Sequence, residues 1–137
     1  MTRYIEAFSW PNTSISPIQD FLDKIVTERP LLHACSGKSK WGDVKVDKFM
    51  PADLNADWTE LAYPANSFGA VFADPPWDAS YKRQCAVFIK KALVIAPVVY
   101  LMAPWMWGSA ERKLTRIWFR EMPGINPHIA IMRFERA

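Results

Sequence analysis

The sequence predicts an α/β protein built on a mostly parallel sheet, and three observations predict it. Short apolar runs end at Gly or Asp: Leu31-Leu32-His33-Ala34-Cys35 leads to Gly37, Val44-Lys45-Val46 to Asp47, and Ala70-Val71-Phe72-Ala73 to Asp74. Helical spacing separates some of these runs, most clearly over residues 80–95. The runs are apolar throughout rather than alternating, which suits strands covered on both faces.

The elements follow in order. Residues 1–14 read as irregular, with a turn at Trp10-Pro11-Asn12. Ser16 and Pro17 form a helix start, a capping side chain followed by a proline at the first helical position. Ile18, Phe21, Leu22 and Ile25 then recur at helical spacing to about Glu28, just before Pro30. Strands at 31–35 and 44–46 follow, then a polar, turn-rich stretch over 51–69 and a third strand at 70–73. The helix over 80–95 turns Ala86, Val87, Ile89, Ala92 and Leu93 inward and Lys82, Arg83, Lys90 and Lys91 outward. Residues 92–110 carry no charge, but Pro97 and Pro104 divide them, so a strand at 98–102 is expected there rather than a membrane span. Strands near 115–120 and 128–134 flank Met122-Pro123-Gly124-Ile125-Asn126-Pro127 as a hairpin that adds an antiparallel pair at one edge.

The 137 residues make one domain, with an N-terminal segment and helix over 1–30, a core over 31–137 and no separate target-recognition domain. Two Cys and two His exclude a disulfide framework and a four-ligand zinc site, and no metal is expected. No charged segment followed by an apolar one opens the chain, so the expected location is the cytoplasm. Residues 1–81 carry seven basic and eleven acidic side chains, whereas residues 82–137 carry ten basic and three acidic. That asymmetry points towards nucleic acid as a partner. Lys82, Arg83, Arg112 and Lys113, with Trp105 and Trp107, fit the basic-plus-aromatic pattern of a nucleic-acid groove.

In parallel sheets, ligands lie beyond the carboxyl ends of the strands. Gly37, Asp47 and Asp74 all fall on that rim. Asp74-Pro75-Pro76-Trp77 is the sharpest feature there. Two successive prolines fix two φ angles and remove two N–H donors, leaving a rigid stub. Such a stub can hold the Asp74 carboxylate and the Pro75 carbonyl as paired acceptors for an exocyclic amino group. Trp77 offers a face on which the same base can stack.

This motif resembles the Asp-Pro-Pro-aromatic signature of the adenine-N6 amino-methyltransferases. The stretch from Asp57 through the Pro64-Ala65-Asn66-Ser67-Phe68 turn to Val71 is similar to one common in class I S-adenosylmethionine methyltransferases. The resemblance implies a Rossmann-like fold, S-adenosylmethionine as cofactor, and catalysis by Asp74, Pro75, Pro76 and Trp77. It implies that Asp47 accepts from the cofactor's ribose hydroxyls, Asp57 from its adenine amino group, and that Trp58 packs on the adenine. Cys35 reads as a small core residue. With Ser36 and Gly37, it forms the turn that the resemblance sets under the methionine moiety, although the family usually carries more glycines here.

The implied reaction is methyl transfer to adenine N6 in nucleic acid, DNA ahead of RNA, on a flipped or single-stranded base. Cytosine N4 or guanine N2 methylation is the rival within enzymes. An inert methyltransferase-like subunit that binds nucleic acid is the rival outside them. Ten residues separate Gly37 from Asp47, and ten separate Asp47 from Asp57. A crossover with its helix needs a dozen or more, so some helices are shortened or missing. Sheet surface is then expected to lie bare, and the seven Trp suit its burial in a homodimer.

Overall fold

The computed structural model describes residues 4–9, 16–37, 39–75, 81–103, 113–121 and 130–136; Pro76, Trp77, Trp105, Trp107 and Arg112 lie outside them. Seven strands form one sheet: β1 (Tyr4–Ser9), β2 (Leu31–Ala34), β3 (Val44–Val46), β4 (Ala70–Ala73), β5 (Val98–Ala103), β6 (Leu114–Glu121) and β7 (Ala130–Glu135). Two α-helices accompany them, α1 (Ser16–Ile25) and α2 (Tyr81–Ile95), with a single 3-10 turn at Trp58–Glu60. The strand order is β1-β6-β7-β5-β4-β2-β3. Only β7 is reversed: it pairs antiparallel with β5 and β6, while β1/β6, β5/β4, β4/β2 and β2/β3 are parallel.

The mostly parallel sheet, the terminal antiparallel pair and the reduced crossovers agree with the sequence reading. Among the described residues no α-helix lies between β2 and β3, and only the 3-10 turn lies between β3 and β4. Four details differ. Residues 4–9 form a strand, paired with β6 from Tyr4↔Arg116 to Ser9↔Glu121. Tyr4-Ile5-Glu6-Ala7-Phe8-Ser9 has no clear period-two pattern, so its pairing comes from β6 rather than from local preference. Consequently β1, not the hairpin, forms the edge of the sheet.

Helix α1 ends at Ile25, about a turn early, where tertiary donors take its last carbonyls. Tyr100 Oη lies 3.0 Å from Ile25 O, and Arg29 Nη1 donates to Val26 O at 2.9 Å. On α2, Ala86 and Val87 face solvent, while Cys85 and Phe88 join Ile89, Ala92 and Leu93 in the core.

The fourth difference concerns the bare sheet surface. One face, with Leu32, Val71, Val99, Leu101 and Met132, packs against α2, Trp58, Leu61 and Phe68. The other face, with Leu31, Ala70, Phe72, Tyr100 and Trp118, packs against Leu22 of α1, against Val26 just after it and against Trp41. Trp41 does what a crossover helix would do. Its ring packs edge-on against Phe72, its Nε1 donates to Asp23 Oδ1 at 2.7 Å, and Phe72 is left 1 % exposed. Each large side chain buried this way contributes about 1.5–3 kcal/mol. The described side chains on the central strands are thus buried within the chain on both faces.

A cluster of polar groups joins α1 to the centre of the sheet. Arg133 on β7 reaches Glu28 Oε2 at 3.2 Å, Glu135 Oε1 at 2.7 Å and Thr115 Oγ1 at 3.1 Å, and its Nε donates to Tyr100 Oη. Tyr100 Oη lies 2.8 Å from Glu28 Oε1. At the far end of α2, Arg136 donates to Leu93 O and Val94 O, satisfying carbonyls that the helix leaves open.

Gly69 marks the closest backbone approach. Its N–H donates to Pro30 O at 2.8 Å, and a Cβ there would lie 2.6 Å from Arg29 O. The contact is with backbone, so it cannot swing aside. Gly69→Ala is expected to lower stability by about 1–3 kcal/mol, read as an earlier midpoint in urea denaturation; an unchanged midpoint would refute the steric account.

Candidate active site

The strand order fixes where a ligand can enter. From β2 the chain passes to β3 on one side, then returns across β2 to β4 on the other. The connections leaving β2 and β4 therefore diverge, and a crevice opens between their carboxyl ends, the switch point where such sheets bind ligands. A cavity of about 680 Å³ lies there, its walls including Cys35, Asp47, Asp57, Trp58, Asp74 and Pro75. These six residues come from four separate segments of the chain. The volume falls in the range of small-molecule sites, about 300–1,000 Å³.

Asp47 follows β3 and organises the rim. Its Oδ2 accepts from Gly37 N at 2.8 Å, and its Oδ1 from Phe49 N at 2.9 Å and Met50 N at 2.7 Å. Partial burial pushes its carboxyl up, but the N–H groups of Met50, Phe49 and Gly37 outweigh this and hold it below the usual range. A carboxylate has about four lone-pair sites, so Asp47 keeps about one for a ligand hydroxyl. The double acceptance expected from the sequence exceeds that.

Asp57 caps the 3-10 turn. Its Oδ1 accepts from Thr59 N at 2.9 Å and Thr59 Oγ1 at 2.5 Å, and its Oδ2 lies 3.5 Å from Lys48 Nζ. The Thr59 hydroxyl, against a smaller opposing effect of burial, holds its carboxyl below the ordinary value. An amino group bound there would share Oδ2 with Lys48. Trp58 lines the cavity but is only 5 % exposed. Its ring packs against Phe88 at 4.9 Å, and its Nε1 donates to Gln84 Oε1 at 3.2 Å. The indole has little face left for a ligand ring, contrary to the role expected for it.

Phe49, which the sequence reading passed over, is 84 % exposed and lines the same cavity. It is the aromatic with surface to offer. Lys48, Met50, Ala56 and Gln84 were likewise missed. For Lys48, Phe49 and Met50 the available signal was their place directly after Asp47, and for Ala56 its place beside Asp57; Gln84, on α2, had none. Cys35 lines the cavity in a left-handed conformation, φ 54°, and burial pushes its thiol far up, so it is no nucleophile at neutral pH. Ser36 and Gly37 belong to the same turn but are not among the described wall residues. Ser36 Oγ is buried and has no hydrogen-bond partner among the described residues. His33 stays outside the chemistry: its Nδ1 lies 2.9 Å from Trp41 O, and burial favours its neutral form.

Asp74, directly after β4, is open to the cavity, yet protein surrounds its carboxyl on most sides. That loss of hydration pushes it up to about 6. Pro75 beside it is buried and lines the cavity. An amino group delivered here would meet a carboxylate at neutral pH.

The expected nucleic-acid groove divides. Lys82 and Arg83 are exposed on the first turn of α2, whose Gln84 reaches the cavity. Lys113 sits at the opposite end of the sheet: Leu114 pairs with Phe134, which is level with Val99 near the start of β5. Three strand spacings, about 14 Å, also separate β6 from β4. Trp105, Trp107 and Arg112, like Pro76 and Trp77, lie outside the described residues. Among the described residues no helix is long and apolar enough to cross a membrane.

No protein-family model and no curated protein matches the sequence. The fold is shared with solved structures. A Pyrococcus horikoshii protein assigned as an RNA methyltransferase superposes with a TM-score of 0.60 at 13 % identity, over 89 % of this chain and 82 % of that one. Protein 1320 of Thermoplasma acidophilum superposes with a TM-score of 0.53 at 13 % identity, over 87 % of this chain and 85 % of that one. The chain therefore has a methyltransferase-like fold.

The two rim acids have opposite linkage to pH. Folded Asp74 keeps its proton up to about 6, above the unfolded value, so stability falls as pH rises from about 4 to 6. Folded Asp47 releases its proton early, so its contribution is complete above about pH 4 and is lost on further acidification. Denaturation curves across this range should show Asp74→Asn removing the loss between pH 4 and 6. Asp47→Asn should lower stability at pH 7 by about 2 kcal/mol or more. A pH dependence unaltered by Asp74→Asn would contradict the assigned shift.

Proposed function

We propose that this protein is an S-adenosylmethionine-dependent methyltransferase acting on the exocyclic amino group of adenine in nucleic acid. The observation that carries the reading is the Asp74-Pro75 stub at the carboxyl end of β4, sharing one cavity with Asp47 and Asp57. The donor set fits the cofactor in part. Asp47 Oδ2 retains acceptor capacity for one hydroxyl, Ser36 Oγ has no partner among the described residues, and Phe49 offers an exposed ring. When bound, S-adenosylmethionine supplies a methyl group on a positively charged sulfur.

The chain's own residues do the rest. The Asp74 carboxylate and the Pro75 carbonyl accept the two amino hydrogens, which draws the nitrogen lone pair out of conjugation with the ring. The same acceptors offset the positive charge that builds on that nitrogen. Asp74, ionised at neutral pH, then takes the proton that the alkylated nitrogen sheds. Trp77, assigned by the motif alone, stacks on the base, which must be extruded or single-stranded to enter. The preference for DNA expected from sequence has no support in the geometry, and RNA and DNA substrates stand level.

One observation favours the inert rival: Asp57 and Trp58 already have partners inside the protein. Calorimetry with S-adenosylmethionine decides between the two, because the inert subunit has no reason to bind it.

The test is incubation with methyl-labelled cofactor and matched RNA and DNA, followed by nucleoside analysis that separates N6-methyladenine from N4-methylcytosine and N2-methylguanine. Asp74→Ala should lower the transfer rate at least about 100-fold while cofactor affinity is retained. The wild-type rate should fall as pH drops through about 6. Full activity of Asp74→Ala would end the assignment.

A further inference from the structure

We infer that the solvent face of α2 is a phosphate-contacting track for a nucleic-acid strand whose target base enters the Asp74 cavity. The inference rests on the nucleic-acid substrate proposed above and specifies how the strand is held. Helix α2 carries four cations and no acid, and Lys82, Arg83, Lys90 and Lys91 are all exposed. Among the described residues, Arg83, Lys90 and Lys91 form no salt bridge, which Lys24, Lys40 and Lys113 share, but only on α2 do such cations stand together on one helix beside the cavity.

Their positions work against the helix itself. Lys82 and Arg83 occupy the first turn, at the positive end of the helix dipole, where stability favours acids. The cation at the other end comes from outside the helix, Arg136 on Leu93 O and Val94 O. Helix stability therefore does not account for this pattern; attraction to an external polyanion does.

The track also leads to the cavity. Gln84, between the exposed Arg83 and the buried Cys85, lines the cavity together with Asp74 and Pro75. From Lys82 and Arg83 to Lys90 and Lys91 is eight residues, about 12 Å along the helix. That length spans roughly three nucleotides of a stacked strand. The cations thus run from the cavity along the helix, as a strand would leave it.

Fluorescence polarisation with short labelled single strands of RNA and of DNA, titrated over a range of salt, tests this. The triple variant Arg83→Gln, Lys90→Gln, Lys91→Gln should reduce the slope of log affinity against log salt by about 2. A control triple variant, Lys24→Gln, Lys40→Gln, Lys113→Gln, removes the same charge elsewhere and should leave the slope within experimental error. An unchanged slope in the α2 variant, an equal change in the control, or tighter binding to phosphatidylserine vesicles than to either strand would overturn the inference. Calorimetry with S-adenosylmethionine on the same proteins separates the two claims. Loss of cofactor binding in the wild type would strike the methyl-transfer reading and leave the slope as measured. Normal cofactor binding with an unchanged slope would strike only the track.

Discussion

The crossovers leaving β2 and β3 contain no α-helix, so their backbone groups must find partners elsewhere, and the Asp47 carboxylate supplies three of them. Its neighbours work the same way. Asp43 accepts from Leu31 N at 2.7 Å, Asp53 from Lys45 N at 2.8 Å and Asp57 from Thr59 N, while Asn55 donates to Asp47 O and Met50 O. A side-chain acceptor does for each loop what a hydrogen-bonded turn of helix does in a longer chain. The rim of the cavity is thereby held by charge-assisted bonds, roughly twice as strong as neutral ones.

That arrangement ties binding to folding. The same carboxylate that fixes the turn at Gly37 and the loop at Phe49 and Met50 also faces the cavity. A ligand hydroxyl would meet an acceptor whose position is set in advance by three N–H groups. Asp74 obtains its position differently. It follows Ala73 of β4, a strand buried along its length and paired on both sides, with β2 and β5. The core fixes Asp74, and the loops fix Asp47. The two acids of the cavity rest on separate supports.

The strands from β2 to β5 and the helix α2 were legible because burial leaves a local trace: apolar runs bounded by Gly, Asp or Pro. Asp47, Asp57, Asp74 and Pro75 were legible as neighbours because all follow the rim of a parallel sheet. Other features were not. β1 depends on a partner over a hundred residues away, and nothing within Tyr4–Ser9 encodes that pairing. Trp58 was expected to offer its ring and Phe49 drew no expectation, since an aromatic's type does not reveal whether its face is covered. Here Phe88 covers one and solvent bathes the other. Lys113 was grouped with Lys82 by charge, although the strand order puts the two at opposite ends of the sheet.

The charge asymmetry can now be divided by cause. In residues 35–69, where no α-helix lies among the described residues, Asp47, Asp53 and Asp57 supply acceptors for the backbone of that stretch, and Asp43 supplies one for Leu31 N of β2. Bases in the second half have two uses. Arg133 and Arg136 act internally, the first tying β7 to Glu28 and Tyr100, the second closing the end of α2. Arg83, Lys90 and Lys91, exposed on α2, form no salt bridge among the described residues. Net charge alone, +3 for the whole chain, conceals this division. An acidic, structural stretch and a shorter one with outward-facing cations are what a trimmed fold requires if it must hold its own loops and still attract a polyanion.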